Sequence, residues 1–257
     1  MVDLNFYLIL AGFFFSLLIL WSGVGAGVLV IPTLITVFHI DPLAAVASGS
    51  AFAFISKILM TFGYAKHGNV DWRVAIQFLS ICLPITVLTA ATIALLSQTH
   101  QGPLLELILV VAIIIAGSLA LIALLSARIK TTISRWPMSS LSGLTGLLMG
   151  LTGVGGGVMV VPALATTGGL AIKIAVATSI PIGLILSLAV SITLGSSGLL
   201  DYSLILSLML GAVIAIPLGV RMFHLFSDRL IKQITCGLIG LALIDLLIQA
   251  FDLITRI

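Results

Sequence analysis

The chain has 257 residues, of which 61% are hydrophobic and only 7% charged, and its mean hydropathy is +1.36. That composition excludes a soluble globular domain, and the formal charge of +3 carries no nucleic-acid reading because the basic residues form no patch on a soluble face. Cys82 and Cys236 lie inside apolar stretches without CxxC or metal-ligand spacing, so they read as small packing residues and neither metal nor cofactor is expected.

Apolar stretches able to cross about 30 Å of hydrocarbon, which takes about 20 helical residues, recur from end to end. The expected fold is therefore an all-α polytopic membrane protein. In the first half the stretches are 4–21, 25–38, 42–65, 73–97 and 104–126. The first does not read as a cleavable signal, since MVDLN lacks a basic flank and no small-x-small site precedes the continuing apolar chain, so it is expected to stay in the mature protein. Asp41-Pro42 reads as an N-cap with proline at the first helical position, and Gly102-Pro103 stops one helix and opens the next. A polar connection from Arg128 to Pro137 follows. The second half gives 139–151, 155–168, 171–196, 203–224 and 231–251.

The two halves repeat one another at an offset of 130 residues. SGVGAGVLVIP (Ser22 to Pro32) and TGVGGGVMVVP (Thr152 to Pro162) are identical at seven of eleven positions, and the same offset pairs Val46-Ala47 with Val176-Ala177, Gly68 with Gly198 and Asp71 with Asp201. The organisation expected is a first transmembrane repeat (1–127), a cytoplasmic linker (128–138) and a second repeat (139–257). With the linker inside, alternation of the long helices puts nine of the eleven basic residues on the cytoplasmic face: Lys66, Arg73, Arg128, Lys130, Arg135, Lys173, Arg221, Arg229 and Lys232. Trp72 and Trp136 fall at that interface, while Asp3, Asp41, Glu106 and Asp201 stay outside. Asp71 then faces in and Asp201 faces out, so the halves are expected to be inverted, with both termini outside.

The glycine segments are the candidate chemistry. The apolar run after each is about 14 residues, or about 21 Å, too short to span comfortably. Each reads as a re-entrant or broken hairpin turning near the midplane, tolerated where protein or a water-filled cavity surrounds the backbone. Helices opening at Gly25 and Gly155 would aim free N–H groups and the positive ends of their dipoles at the centre, and Gly25, Gly27, Gly155, Gly156 and Gly157 would let a ligand approach that backbone. Pro32 and Pro162 are candidate hinges. The competing reading makes these glycines helix-packing positions. Ser48 and Ser50, matched by Thr178 and Ser179, offer hydroxyls to an oxyanion; interhelical or back-bonding roles compete with this. Lys57, whose repeat partner is Ser187, is either a counter-charge or proton-linked group at the site or a side chain snorkelling toward Lys66. Asp245 is a weaker candidate near the outer interface.

The duplicated GxGxG/GxGGG with its proline, VATS at 176–179 and GNVDW at 68–72 together resemble the sulfite exporter TauE/SafE family, or toluene sulfonate uptake permease superfamily, over essentially the whole chain. The resemblance implies a bacterial or archaeal inner-membrane carrier of sulfur-containing oxyanions or organosulfonates. By that match Gly155, Gly156, Gly157, Pro162, Thr178 and Ser179 belong to the signature in the second half, and Gly25, Gly27 and Pro32 to that in the first. The chain departs from the pattern at Ala26 and at Ser48-Gly49-Ser50.

A secondary anion transporter working by alternating access is the leading reading, with a small anion, a coupling proton or sodium ion, and membrane lipid as partners. An anion channel built on paired re-entrant hairpins is the alternative, although no ring of charge or hydrophilic stripe stands out; a carrier of an unrelated small carboxylate is another. A membrane enzyme ranks last, because His39, His67, His100 and His224 accompany no HExxH or serine-based motif.

Overall fold

A computed structural model describes residues 5–22, 26–65, 70–99, 103–125, 137–153, 159–222 and 228–256. All regular structure among them is helical. The helices are α1 (Phe6–Ser22), α2 (Ala26–Thr36), α3 (Pro42–Ala65), α4 (Trp72–Thr99), α5 (Pro103–Leu125), α6 (Met138–Thr152), α7 (Val160–Thr166), α8 (Ile172–Gly195), α9 (Tyr202–Met222) and α10 (Asp228–Arg256). Trp72–Gln98, Ile174–Gly195 and Tyr202–Gly219 are long and apolar enough to cross a membrane by length and composition. The last helix runs past the predicted end at 251, since no glycine or proline interrupts FDLITR and an exposed face tolerates Asp252.

The repeat survives folding at the level of single residues. Helix boundaries at Ser22, Thr36, Pro42, Ala65 and Trp72 recur 130 residues later at Thr152, Thr166, Ile172, Gly195 and Tyr202. The turn between α2 and α3 is closed by Ile40 N–H donating to Leu34 O (3.0 Å), and that between α7 and α8 by Leu170 N–H donating to Leu164 O (3.2 Å). Both turns need a left-handed residue after the helix, and the chain supplies His39 (φ 52°) in one and Gly169 (φ 66°) in the other. Asp41 caps α3 as the sequence predicts, its Oδ1 accepting from Leu43 N–H (2.9 Å) and Ala44 N–H (3.2 Å).

Packing is equally paired. Helix α1 lies along α9, and its counterpart α6 along α4; α3 touches α9 as α8 touches α4; α2 packs on α3 as α7 packs on α8. Two pairs, α3 with α8 and α5 with α10, join a helix to its own counterpart. A two-fold relation between the halves would bring counterparts together in this way. The two outer crossings bring backbones together through glycine: a Cβ on Gly12 or Gly211 would collide with the backbone of the facing helix in the α1–α9 crossing, and one on Gly146 or Gly150 with the Cys82 or Thr86 carbonyl in the α4–α6 crossing.

Burial sorts the helices by depth. Val28 to Ile31 and Leu34 of α2, Val46, Ala47 and Phe52 of α3, Ala163 and Leu164 of α7, and Ile182, Leu186 and Leu194 of α8 are almost fully enclosed. Large apolar side chains lie exposed on α4 (Ile76, Leu88, Leu95), α9 (Val213, Ile214) and α10 (Leu241, Ile244, Leu247). An apolar exterior around a tightly packed interior suits hydrocarbon as solvent, where small residues and dispersion hold helices together.

Candidate functional site

Helices α3 and α8 bury Ser48, Ser50, Ser56 and Lys57 on the one and Thr178, Ser179 and Ser187 on the other. Lys57 is buried mid-helix, and its Nζ donates to Ser187 Oγ at 3.2 Å. Lysine and serine occupy equivalent positions of the two repeats, so here a residue of one half meets its own counterpart in the other. It is also the one place where a buried charge occurs among the described residues, and no described carboxylate pairs with it. The snorkelling alternative is not what the structure adopts, because the ammonium turns into the helix interface.

Two further bonds fix the direction of the pair. Ser48 Oγ accepts from Asp201 N–H at 2.9 Å, and Thr178 Oγ1 accepts from Asp71 N–H at 2.9 Å. Ser48, in the second turn of α3, therefore meets Asp201 at the start of α9, past the end of α8; the middle of α3 meets the middle of α8; and Thr178, in the second turn of α8, meets Asp71 at the start of α4, past the end of α3. The two helices run antiparallel. The bonds also explain why VATS and GNVDW occur in one chain: Asp71 caps α4 through Val74 N–H (3.0 Å), Asp201 caps α9 through Leu204 N–H (3.0 Å), and a hydroxyl from the opposite half holds each cap. Ser48 and Thr178 thus act as acceptors between the halves.

The remaining predicted positions separate. Ser179 Oγ donates to Val176 O at 2.7 Å, the back-bonding alternative. Ser50 Oγ is buried and has no partner among the described residues. It faces Gly153, the left-handed C-cap of α6 (φ 64°), where an added Cβ would come within 2.8 Å of that oxygen. Gly153 immediately precedes the rest of the second glycine segment in sequence, so the Ser50 hydroxyl of the first repeat stands beside the residue that leads into that segment. Gly27 is buried in the first turn of α2; Pro32 lies inside α2 and Pro162 inside α7. Gly25, Gly155, Gly156 and Gly157 lie outside the described residues.

Sequence reasoning paired Lys57 with Ser187 as repeat mates without seeing that they touch. The signal was available: where antiparallel counterparts cross on an axis, each on-axis residue meets its own mate. It also passed over Ser56 and Thr61 on α3, whose buried oxygens have no partner among the described residues. A cavity of about 250 Å³ opens between the α2–α3 turn, the start of α5 and the end of α10, lined by His39, Asp41, Glu106, Gln249 and Asp252 among others. Three carboxylates give it the wrong sign for an anion.

The family model described as Sulfite exporter TauE/SafE matches residues 8–246, which reaches every helix and takes in both glycine segments. The chain belongs to the sulfite exporter TauE/SafE family. It is similar to a probable membrane transporter protein of Methanocaldococcus jannaschii, with 28% identity over 165 residues. That match covers 62% of this chain and 60% of the relative, so the chain spans less than two thirds of the relative's length. No solved structure matches. Family membership and the apolar helices together make this TauE/SafE protein a multi-pass membrane protein of a transporter family.

Proposed function

We propose that this TauE/SafE protein is a secondary transporter of small sulfur-containing oxyanions or organosulfonates, working by alternating access in a bacterial or archaeal inner membrane. The observation that carries the reading is the antiparallel crossing of α3 and α8 at Lys57 and Ser187. If these helices cross the bilayer, antiparallel counterparts require a pseudo-axis lying in the membrane plane, which is the relation between inverted repeats. Residues 1–127 and 139–257 are then the two repeats and 128–138 a cytoplasmic linker. The nine basic residues on one face support the same orientation, with both termini outside.

The site combines the two glycine segments with polar side chains of α3 and α8. Backbone N–H groups at Gly25, Gly27, Gly155, Gly156 and Gly157 bind the oxyanion, the Ser50 hydroxyl donates to it from the side, and Lys57 supplies the balancing charge. Ser48 and Thr178 hold the backbone at Asp201 and Asp71, and Ser179 contributes its O–H to the anion only on giving up its bond to Val176 O. Pro32 and Pro162, each within a short helix that follows a glycine segment, provide the hinges. A coupling proton or sodium ion completes the cycle.

The test is counterflow in proteoliposomes loaded with unlabelled sulfite or a short alkylsulfonate. Uptake of labelled anion should saturate and should rise when the same anion is present on the opposite side. Linear uptake indifferent to the trans side would mean a channel, and accumulation of a dicarboxylate in preference to the sulfonate would mean a carboxylate carrier.

A further inference from the structure

Hydroxyls in this protein follow one habit, which α3 breaks. Thr33, Thr86, Thr89, Thr92, Thr145, Thr152, Thr167 and Thr193 each donate to the carbonyl four residues back, at 2.6–2.9 Å. Ser80, Ser97, Ser142, Ser179 and Ser196 donate three residues back. Back-bonding of this kind removes the cost of a hydroxyl in an apolar interior. Among the described residues, the buried hydroxyls left without a partner are Ser16 of α1 and Ser50, Ser56 and Thr61 of α3. Three of the four therefore sit on the helix that carries Lys57.

Their spacing has direction. At 3.6 residues per turn, positions 50, 57 and 61 fall within about 40° of one another around α3, and they span about 16 Å along it. Ser56 lies about a quarter turn away, beside Lys57. The counterparts on α8 are Ile180, Ser187 and Ser191, so the two helices differ in polarity at the first of these positions. Because the pair runs antiparallel through the Lys57–Ser187 contact, Ser191 comes level with the stretch of α3 between Ser50 and Lys57, whereas Ile180 comes level with the end of α3 beyond Thr61. Two hydroxyls thus lie on one side of the ammonium and one on the other, where isoleucine takes the place of the fourth. The line on α3 begins at Ser50 beside Gly153, passes the ammonium at its contact with Ser187, and continues to Thr61 in the last turns of the helix.

We infer that the Ser50–Lys57–Thr61 face of α3 is the track along which the anion moves, and that it has no counterpart at Ile180 of α8. The inference rests on the transport reading above and adds its route. An ammonium has three N–H donors, and Ser187 accepts from one; a passing anion completes the shell without displacing a carboxylate. Because Lys57 pairs with its own counterpart, it keeps Ser187 as a neighbour when the two halves exchange conformations. Ser50 and Thr61, on either side of it, are reached in turn.

The test uses single cysteines at positions 50, 61, 55 and 180 in a Cys82→Ala, Cys236→Ala protein reconstituted in liposomes, with a thiol reagent that itself carries a sulfonate. Position 55 lies on the opposite face of α3, about 160° around the helix from Lys57. Ser50→Cys and Thr61→Cys should react, and excess methanesulfonate should slow both at least fivefold. Ile55→Cys and Ile180→Cys should react at least tenfold more slowly, with no protection. Equal reaction and protection at all four positions would overturn the track. Should the cysteines disturb folding, Ser50→Ala and Thr61→Val give a second readout: each should reduce sulfonate flux severalfold, and normal flux in both would also overturn it. Wild-type protein that carries no anion at all would instead defeat the transport reading.

Discussion

Gly211→Leu is expected to yield no folded protein. The α1–α9 crossing brings backbone against backbone, so a side chain at 211 meets the Ile9 carbonyl and the Phe13 amide, while one at Gly12 meets the backbone of Leu208. A flexible neighbour could rotate aside, but main chain in two packed helices cannot. Overpacking already costs about 1–3 kcal/mol where side chains yield, and the cost here should exceed that range. Gly237→Ala and Gly240→Ala serve as controls, since nothing lies within 4 Å of either added Cβ and alanine is favoured over glycine in a helix by about 1 kcal/mol. Detergent elution profiles and thermal melts should show aggregation for the leucine variant and a melting point unchanged or raised for the controls. A monodisperse Gly211→Leu protein melting near wild type would mean that α1 and α9 are not packed in this way.

Lys57→Met should give the largest functional loss that leaves the fold intact. A hydrogen bond to a charged group contributes about 1.5–3 kcal/mol, so anion affinity should fall about 10-fold to 150-fold. Stability should hold or rise, because a buried ammonium with a single serine partner is replaced by an apolar chain of similar length. Lys57→Arg should keep part of the transport, since the charge survives in altered geometry. Ser187→Ala separates the two roles of the lysine: if Lys57 merely ties α3 to α8, the alanine variant should lose as much transport as the methionine variant. On the present account it transports near the wild-type level. Saturation curves for labelled sulfonate in each variant, together with melting temperatures, decide the matter.

The repeat, the helix order and most boundaries were readable because each rests on a local signal. Asp41-Pro42 caps and opens α3, Pro103 opens α5, and apolar run length marks the long helices. What stayed hidden depended on which residues meet across the halves. Ser48 and Thr178 look like ligand hydroxyls in sequence, and only the tertiary contact reveals that each accepts from the aspartate capping a helix of the other repeat. Ser50 and Ser179 are equally polar one-letter signals, yet Ser179 back-bonds and Ser50 does not. Hydropathy assigns Thr61 no role at all. Its interest comes from a missing intrahelical bond, a property of geometry rather than composition.

Exchange of conformations between two halves demands that they be inverted, and side-specific labelling tests that relation most directly. Single cysteines at 100 and 200 should react with an impermeant maleimide added to intact cells, whereas cysteines at 69 and 132 should react only after the membrane is opened. Positions 69 and 200 lie in the corresponding loops of the two repeats, one residue apart in register. Labelling of both from the same side would make the repeats parallel and contradict the account.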